Sequence, residues 1–346
     1  MTSSTTTPAQ RIVLAARPHG RPQPSDFRLE TLDLPDPRPG QMLLATRYLS
    51  LDPYMRGRMD DAASYAKPVP LGGVMEAQGV AQVVASHVAG YGPGDWVLAP
   101  TGWASHALSD GTGVRRLGPD PLPGGAPTPS TALGVLGMPG FTAYSGLLVL
   151  GRPKPGETVV VAAAAGPVGS LVGQLAREEG ARVVAIAGGP DKCAYLRDTL
   201  RFDAALDHRA PDFAAQLAAA CPKGIDVYFE NVGGAVWQAV LPLLNLYARV
   251  PVCGLISQYS GGSMGERDLL PATMRQVLTR SLTIRGFINS EFVPEYFTAF
   301  LDRVGAGLAE GRITYREDVA DGLAQAPDAF MGMLEGRNFG KMLVRI

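Results

Sequence analysis

The sequence is poor in cysteine and histidine, the side chains that bind most zinc in proteins. It has three cysteines, Cys193, Cys221 and Cys253, and only four histidines in 346 residues. The cysteines lie far apart, no CxxC pair occurs, and no two histidines form a close metal-ligand pair. This scarcity argues against a disulfide framework and a structural zinc lobe, and it predicts that the protein binds no metal.

The sequence also lacks an excess of charge of either sign. Its 31 basic and 32 acidic residues nearly cancel, which favours a small-molecule partner over nucleic acid or a membrane surface. The first eleven residues, MTSSTTTPAQR, have no apolar core, so we expect a frayed tail and a cytoplasmic protein. The most apolar stretch, residues 132–151, contains Pro139 and several small polar residues, which is typical of a buried helix-and-loop segment.

Two parts of the chain differ in their hydrophobic pattern. Up to about residue 125, short apolar runs alternate with Pro/Gly turns, which predicts an all-β, partly closed barrel. The predicted strands are 11–17, 27–34, 41–52, 79–86, 95–100 and 103–109. Beyond a Pro/Gly-rich connection at 119–130, apolar strands and helices alternate, which predicts a doubly wound parallel sheet.

The second part has six strand candidates, as a nucleotide-binding sheet requires. They begin near Thr158, Ala181, Ala204, Ile225, Ala248 and Leu282, with helix candidates at 168–179, 191–200, 212–220, 235–244 and 270–279. Because this sheet is then complete, we expect the terminal strand KMLVRI to return to the barrel. The fold class is therefore α/β plus β, with domains at 131–307 (dinucleotide binding) and at 1–130 with 308–346 (substrate).

A glycine-bearing turn follows the first strand of the second part. After TVVVAA, the chain reads AAAGPVG at 163–169 and then enters a helix. Gly166 would let the backbone approach a pyrophosphate, and Gly169 would let the helix pack close to the strand. Ala164 replaces the first glycine of GxGxxG, so a tight structural turn is the alternative. The five β-α units that follow favour the dinucleotide site.

The end of the second strand bears on the choice between NAD and NADP. NAD enzymes place an acidic residue there for the ribose 2′-hydroxyl, whereas this strand ends AIAGGPDK. Gly188 and Gly189 leave space and Lys192 supplies positive charge, which predicts a 2′-phosphate and hence NADPH. Asp191 argues the other way, but it is explained more simply as a helix N-cap. A solvated helix-surface lysine is the alternative for Lys192.

Neither a catalytic metal site nor a nucleophile is evident. Zinc alcohol dehydrogenases share this two-domain plan, but no cysteine lies in the β-rich part, and LGGVMEAQGV at 71–80 lacks the histidine of their Gly-His-Glu pattern. No Ser/His/Asp set stands out in the sequence. Without a Lewis acid, reduction of an unactivated ketone is harder, so the sequence favours chemistry carried by the cofactor.

Eight motifs carry a family resemblance that spans nearly the whole chain. They are SLDPYMRGRM (50–59), GVLGMPGFTAY (134–144), VVAAAAGPVG (160–169), AGGPDKC (187–193), DVYFENVGG (226–234), VCGLISQY (252–259), IRGFI (284–288) and GRNFGKMLVRI (336–346). The chain resembles the zinc-independent medium-chain dehydrogenase/reductase superfamily. Within it, the chain resembles the branch of prostaglandin reductases, plant alkenal double-bond reductases and bacterial curcumin reductases, particularly the last through ARPHG and DHRA.

The resemblance implies a GroES-like barrel, a homodimer and a set of NADPH contacts. These contacts are Met138 and Thr142 on the nicotinamide side, Gly166, Val168 and Gly169 at the pyrophosphate, Gly188, Lys192 and His208 at the 2′-phosphate, and Asn231, Tyr259, Phe287 and Asn338 at the ribose and nicotinamide ends. Relatives often have a tyrosine in place of His208, whose charge depends on pH. Asn231 has a structural alternative, the satisfaction of a strand-end turn.

The resemblance also implies substrate contacts. Tyr54, Arg56 and Tyr65 would face the substrate from the β-rich part, and Phe287 would lie near it beside the nicotinamide. Glu76 departs from the small or apolar residue expected there, which puts the polarity of the pocket in doubt. The alternatives are rim aromatics for the two tyrosines and a core residue for Phe287.

The sequence thus predicts NADPH-dependent reduction of the carbon–carbon double bond of α,β-unsaturated aldehydes and ketones. Hydride would add to the β-carbon, hydroxyl groups would stabilise the negative carbonyl oxygen, and Tyr259 or water would protonate the α-carbon. An NADPH quinone reductase of the same superfamily is one alternative, and a non-catalytic NADPH-binding protein is another. Tyr259 and the intact DPYMRGR motif argue against the second.

Overall fold

The computed structural model describes residues 6–118, 128–261 and 269–346. The chain divides into two compact units. The first comprises the described part of residues 1–134 together with 317–346, and the second comprises the described part of 135–316. The divisions therefore fall after residues 134 and 316, where the sequence pattern places them after 130 and 307.

The secondary-structure elements alternate as the hydrophobic pattern indicates. The strands of the described residues are β1 (Thr6–Leu14), β2 (Phe27–Pro35), β3 (Met42–Ser50), β4 (Gly79–Ser86), β5 (Trp96–Ala99), β6 (His106–Ser109), β7 (Arg115–Arg116), β8 (Thr158–Val161), β9 (Arg182–Ala187), β10 (Ala204–Asp207), β11 (Ile225–Phe229), β12 (Leu244–Val252), β13 (Thr283–Gly286), β14 (Glu317–Asp321) and β15 (Lys341–Arg345). The α-helices are α1 (Met55–Arg58), α2 (Met138–Tyr144), α3 (Pro167–Glu178), α4 (Pro190–Ala194), α5 (Phe213–Ala220), α6 (Gly234–Val240), α7 (Leu270–Arg280), α8 (Val293–Ala309) and α9 (Ala326–Leu334).

The first unit is built on a sheet of order β14-β15-β3-β4-β5-β7, with β6 also paired to β3. The terminal strand β15 runs antiparallel to β3, which confirms the predicted return of the C-terminal segment. The core of the first unit includes Trp103, which stacks on Phe27 and meets Phe330 of α9 edge-on. Aromatic burial of this kind joins the C-terminal helix to the β-rich part.

The N-terminal tail differs from expectation. Residues from Thr6 onward form β1, which pairs antiparallel with β2 from Thr6 opposite Pro35 to Leu14 opposite Phe27. The prediction of a frayed tail is wrong for these residues. Their backbone hydrogen bonds are made with β2, and the polar sequence TTPAQ alone does not indicate such a pairing. Residues 1–5, and residues 119–127 of the predicted Pro/Gly connection, lie outside the described residues.

The second unit is a six-stranded parallel sheet of order β10-β9-β8-β11-β12-β13, which confirms the six predicted strands and the doubly wound fold. The strand β8 is buried throughout, as expected for a strand covered on both faces. The strand order reverses between β8 and β11, and ligands of such sheets bind at the carboxyl ends of the strands there.

The apolar segment at 132–151 is a succession of short helical pieces, as predicted. A 3₁₀ turn (Pro129–Leu133) comes first, then α2, and a stretch of π-helix (Ser145–Gly151) continues directly from α2. Within the described parts of the chain, no helix is long and apolar enough to cross a membrane.

Candidate cofactor and substrate sites

The turn between β8 and α3 has the close packing that a phosphate-binding turn requires. Gly166 is the residue before the first turn of α3, and its N–H donates to the carbonyl of Ala163 at 3.0 Å. A Cβ atom on Gly169 would be 2.6 Å from the Ala163 carbonyl oxygen and 2.7 Å from the Ala164 Cα atom. Only glycine therefore allows the helix to approach the strand end this closely, as the sequence predicts for Gly169.

The first turn of α3 meets the requirements for a pyrophosphate. The N–H groups of Val168 and Gly169 belong to this turn, where the helix offers no carbonyl to accept them. The positive end of the helix dipole adds to their attraction for an anion. Ala164, in place of the first glycine of the motif, is fully buried, and its N–H donates to the Ile186 carbonyl at 2.9 Å. The methyl group is accommodated without opening the turn.

Basic side chains converge at the ends of β9 and β10. A Cβ atom on Gly188 would be 3.0 Å from His208 Nε2 and 3.1 Å from Arg209 Nε. The His208 N–H also donates to the Ala187 carbonyl at 3.0 Å, which ties the two strand ends together. Arg209 was not among the predicted site residues, although the sequence carries a signal for it: a second basic residue follows His208 in DHRA at the end of the third strand.

The electrostatics of this cluster follow from burial and like charge. Burial lowers the pKa of His208 below its ordinary value near 6.5, and the nearby Arg209 and Lys192 lower that pKa further, against an opposing effect of Asp207. Hydrogen bonds from the backbone N–H groups of Arg209 and Gly189 lower the pKa of Asp207 and keep it ionised. A group of three basic residues at one strand end is chemically suited to a 2′-phosphate, and the contacts of Lys192 and His208 with that phosphate stay a prediction.

The predicted N-cap role of Asp191 is wrong. The N-cap of α4 is Gly189, with φ of 92°, and Asp191 lies inside the first turn of that helix. The positive φ explains the difference, because glycine adopts it without strain, and Asp191 is then the second residue of the helix, two positions beyond the cap. A carboxylate in a first turn is still favourable to the helix dipole.

Thr142 and Met138 on α2 are held by Asn289. The Thr142 hydroxyl donates to the Met138 carbonyl at 2.8 Å and accepts from Asn289 Nδ2 at 3.0 Å. The Met138 side chain is exposed. Asn289, in the 3₁₀ turn Asn289–Phe292, has no sequence signal of its own, since its position beside α2 arises only from the fold.

Phe287 lies in the core of the second unit. It is buried, and its ring meets Phe229 and Phe292 edge-on at centroid distances of 6.4 and 6.1 Å. A Cβ atom on Gly146 would be 2.6 Å from its ring, so Gly146 makes room for it. These contacts favour the core interpretation of Phe287 over a role at the nicotinamide.

Asn231 and Tyr259 lie at the carboxyl ends of β11 and β12. Asn231 Nδ2 donates to the Ala162 carbonyl at 2.8 Å, which joins the end of β11 to the end of β8 and matches the structural alternative for this residue. Tyr259 is half-buried, and its hydroxyl accepts a hydrogen bond from the Leu255 N–H at 3.3 Å. The tyrosine ring thus turns back toward the end of its own strand.

On the first unit, Arg56 is a structural tie. Its side chain is 3% exposed, with one guanidinium nitrogen 2.7 Å from Asp60 and the other donating to the Gly20 carbonyl at 2.9 Å. These contacts engage both terminal nitrogens of the guanidinium, and the predicted contact with substrate stays a prediction. Asn338, also on this unit, donates to the Gly340 carbonyl at 2.8 Å.

Tyr54 and Tyr65, the two aromatic residues predicted to face the substrate, both contact a different arginine, Arg58. Its guanidinium carbon is 4.4 Å from the ring centroid of Tyr65 and 5.5 Å from that of Tyr54, and its Nε is 3.3 Å from the Glu76 carboxylate. Tyr54 and Glu76 line a cavity of about 510 Å³ in this unit. Burial, with the negative charges of Asp52 and Glu76, raises the pKa of Tyr54 and keeps its hydroxyl protonated. Arg58 was not among the predicted site residues, because the DPYMRGR motif contains two arginines and the family resemblance pointed to Arg56.

The described residues contain no group of three or more His, Cys, Asp or Glu side chains placed to hold a metal ion. The three cysteines are free thiols.

Comparisons with known proteins agree with this architecture. Residues 10–117 match the family described as the N-terminal domain of oxidoreductase, and residues 167–306 match the family described as zinc-binding dehydrogenase. The chain is 52% identical over 338 residues to the NADPH-dependent curcumin reductase of Escherichia coli, covering 97% of this chain and 96% of that protein. It is 40% identical over 330 residues to prostaglandin reductase 1 of Rattus norvegicus, covering 94% and 95%.

One solved structure extends the likeness to three dimensions. The crystal structure of CurA in complex with NADPH from Vibrio vulnificus superposes with a TM-score of 0.93 at 52% identity, covering 97% of this chain and 98% of that one. The chain belongs to the zinc-independent branch of the medium-chain dehydrogenase/reductase superfamily. This confirms the resemblance and the fold class that the sequence motifs indicate. As a member of this superfamily, the protein is an oxidoreductase.

Proposed function

We propose that this protein reduces the activated carbon–carbon double bond of α,β-unsaturated aldehydes and ketones, with NADPH as the reductant. The observation that carries the cofactor assignment is the convergence of Lys192, His208 and Arg209 at the glycine end of β9. The curcumin and prostaglandin reductases among its relatives support reduction of a conjugated double bond. Three free cysteines favour a reducing compartment, the cytoplasm.

The residues that would hold NADPH are those at the strand ends of the second unit. The turn at Gly166 and the first N–H groups of α3 would bind the pyrophosphate, and the basic cluster would bind the 2′-phosphate. Thr142, fixed by Asn289, would orient the nicotinamide end. Bound NADPH supplies the hydride that adds to the β-carbon of the substrate.

Tyr259 would supply the proton that completes the reduction. Its hydroxyl accepts a hydrogen bond from the Leu255 N–H, and such a bond stabilises the phenolate left after the proton moves to the α-carbon. Water is the other proton source for the α-carbon. On the first unit, the rings of Tyr54 and Tyr65 offer flat apolar surfaces that suit a conjugated substrate.

NADPH consumption by the purified protein, measured across alkenals, alkenones, aryl enones and quinones, tests this proposal. We expect turnover of the enones and enals to exceed turnover of the quinones. Prolonged treatment with a chelator is expected to leave the rate unchanged. Faster turnover of quinones would make the protein a quinone reductase, and binding of NADPH without oxidation by any compound would make it a non-catalytic binder.

We also propose that the protein forms a homodimer through the β13 edge of the second unit. Within the described residues, β13 pairs only with β12, so its other edge can pair with a second copy of itself. Nearby, Leu270, Met274 and Leu278 form a row along α7 at 64, 57 and 81% exposure, an apolar surface suited to a like partner. Light scattering of the purified protein should give a molar mass twice that of the chain. The Leu278→Asp variant should give a molar mass closer to that of a single chain.

A further inference from the structure

The Arg58 guanidinium on the first unit is held by two aromatic rings and one carboxylate. Tyr65 and Tyr54 flank it, and Glu76 forms an ion pair with its Nε atom. The Arg58 side chain is 5% exposed and the Glu76 side chain is 47% exposed. Among the described residues, Glu76 is the only carboxylate ion-paired with Arg58. An arginine held between aromatic rings is a strong and rigid binding group for carboxylates.

Glu76 is both the ion-pair partner of this arginine and a lining residue of the cavity on the first unit. Glu76 and Tyr54 line the cavity of about 510 Å³, whose lining also includes the apolar side chains of Leu32 and Leu34 and one arginine, Arg11, which is paired with Glu30. Glu76 is therefore reached from the cavity, whereas Arg58, its ion-pair partner at 3.3 Å, is not among the residues that line it. An anionic ligand entering the cavity would meet the negative charge of Glu76 before it could reach the guanidinium of Arg58.

We propose that Glu76 sets the charge selectivity of the substrate site: by pairing with Arg58 it admits neutral enones and rejects enones that carry a carboxylate. The inference rests on the proposed function, because it assigns this cavity to the enone substrate. It gives Glu76, the departure from the family pattern noted in the sequence, a role in choosing among substrates.

A matched pair of substrates tests this selectivity. One is a benzoic acid with an oxobutenyl chain at its para position, and the other is its methyl ester. Both present the same enone, and they differ in one negative charge. The readout is the ratio of kcat/KM for the acid to kcat/KM for the ester. Because it is a ratio, any general loss of activity cancels.

Glu76→Gln keeps the shape of the side chain and removes its charge. We expect the acid-to-ester ratio to rise by roughly fivefold, the upper range for a partly exposed ion pair. Glu76→Asp keeps the charge and should keep the ratio low. Asp321→Asn is the matched control, since it removes a carboxylate from an exposed ion pair with Arg345 outside the cavity lining, and it should leave the ratio unchanged.

A double variant identifies the cation. In the double variant Glu76→Gln with Arg58→Met, the acid-to-ester ratio of kcat/KM should fall back to that of the unmodified protein. An unchanged ratio in Glu76→Gln, or an equal rise in Asp321→Asn, overturns the inference while turnover of the ester leaves the proposed function standing. If the unmodified protein reduces neither compound, the proposed function fails. Calorimetric binding of the saturated acid and ester to the NADPH-loaded protein then decides the charge selectivity by the same ratio.

Discussion

The His208 imidazole lies against the backbone of Gly188, so closely that a Cβ atom on Gly188 would be 3.0 Å from Nε2. Arg209 comes nearly as close, at 3.1 Å. The glycine thus makes room for two basic side chains at the strand end where an NAD enzyme would have an acidic one. This packing is the physical reason to assign the 2′-phosphate of NADPH to this end of the sheet.

The first prediction concerns Lys192 and Arg209. Replacing either by alanine should weaken NADPH binding by roughly ten- to a hundredfold, because charged hydrogen bonds contribute about 1.5–3 kcal/mol. NADH, which lacks the phosphate, should bind almost equally well before and after each change. Lys223→Ala removes a lysine from the loop before β11 and serves as the control. Fluorescence titration with both cofactors measures the affinities, and an equal loss for NADH and NADPH would contradict the assignment.

The second prediction concerns the charge of His208. Its pKa in the free protein lies below the ordinary value because of burial and the neighbouring Arg209 and Lys192. The neutral form is therefore favoured in the folded state, and this group lowers stability as pH falls through its unfolded-state pKa. A bound dianionic phosphate would raise the pKa, so NADPH binding takes up a proton and weakens as pH rises through the bound-state pKa.

Calorimetry near neutral pH in two buffers of different ionisation enthalpy measures this proton uptake. The apparent binding enthalpy of NADPH should depend on the buffer, and His208→Phe should reduce the dependence. NADH is the matched ligand without the phosphate, and its apparent binding enthalpy should depend less on the buffer. Identical heats in both buffers for NADPH would show that His208 does not respond to the phosphate.

The third prediction concerns Gly169. A methyl group there would be 2.6 Å from a backbone oxygen, which cannot yield as a side chain can. Gly169→Ala should lower the free energy of unfolding by about 1–3 kcal/mol and weaken NADPH binding, because the first turn of α3 must shift. Gly305→Ala in α8 meets no atom within 4 Å and should leave stability equal or slightly higher. Thermal unfolding compares the two, and equal melting temperatures would contradict the close packing.

The fourth prediction separates two roles for Tyr259. If its hydroxyl gives the α-proton, Tyr259→Phe should lower kcat by roughly 10²–10⁴-fold. We expect this result, with a loss at the lower end of that range, because water also protonates an enolate. If the hydroxyl only binds cofactor, the loss should be about 1 kcal/mol of NADPH affinity. Single-turnover hydride transfer, kcat and NADPH affinity distinguish the two. Unchanged kcat with weaker NADPH binding would leave water as the proton source.

The strands of the second unit were predictable because parallel strands buried on both faces are continuous apolar runs, as in TVVV of β8. The glycine turn after β8 was predictable because its requirements are local. Arg58 and Asn289 were not, since their roles come from neighbours distant in the chain, Glu76 and Thr142. Likewise, β1 is invisible in TTPAQ because its stability comes from β2. The family resemblance indicated Arg56 as a substrate contact, whereas in the structure its guanidinium forms an ion pair with Asp60.

The most direct test of the proposed reaction follows the hydride itself. NADPH carrying deuterium at the transferred position of the nicotinamide is supplied with an aryl enone, and the product is identified by mass spectrometry and NMR. The account predicts the saturated ketone, with deuterium at the β-carbon and a solvent proton at the α-carbon. An allylic alcohol with deuterium on the carbonyl carbon would contradict it.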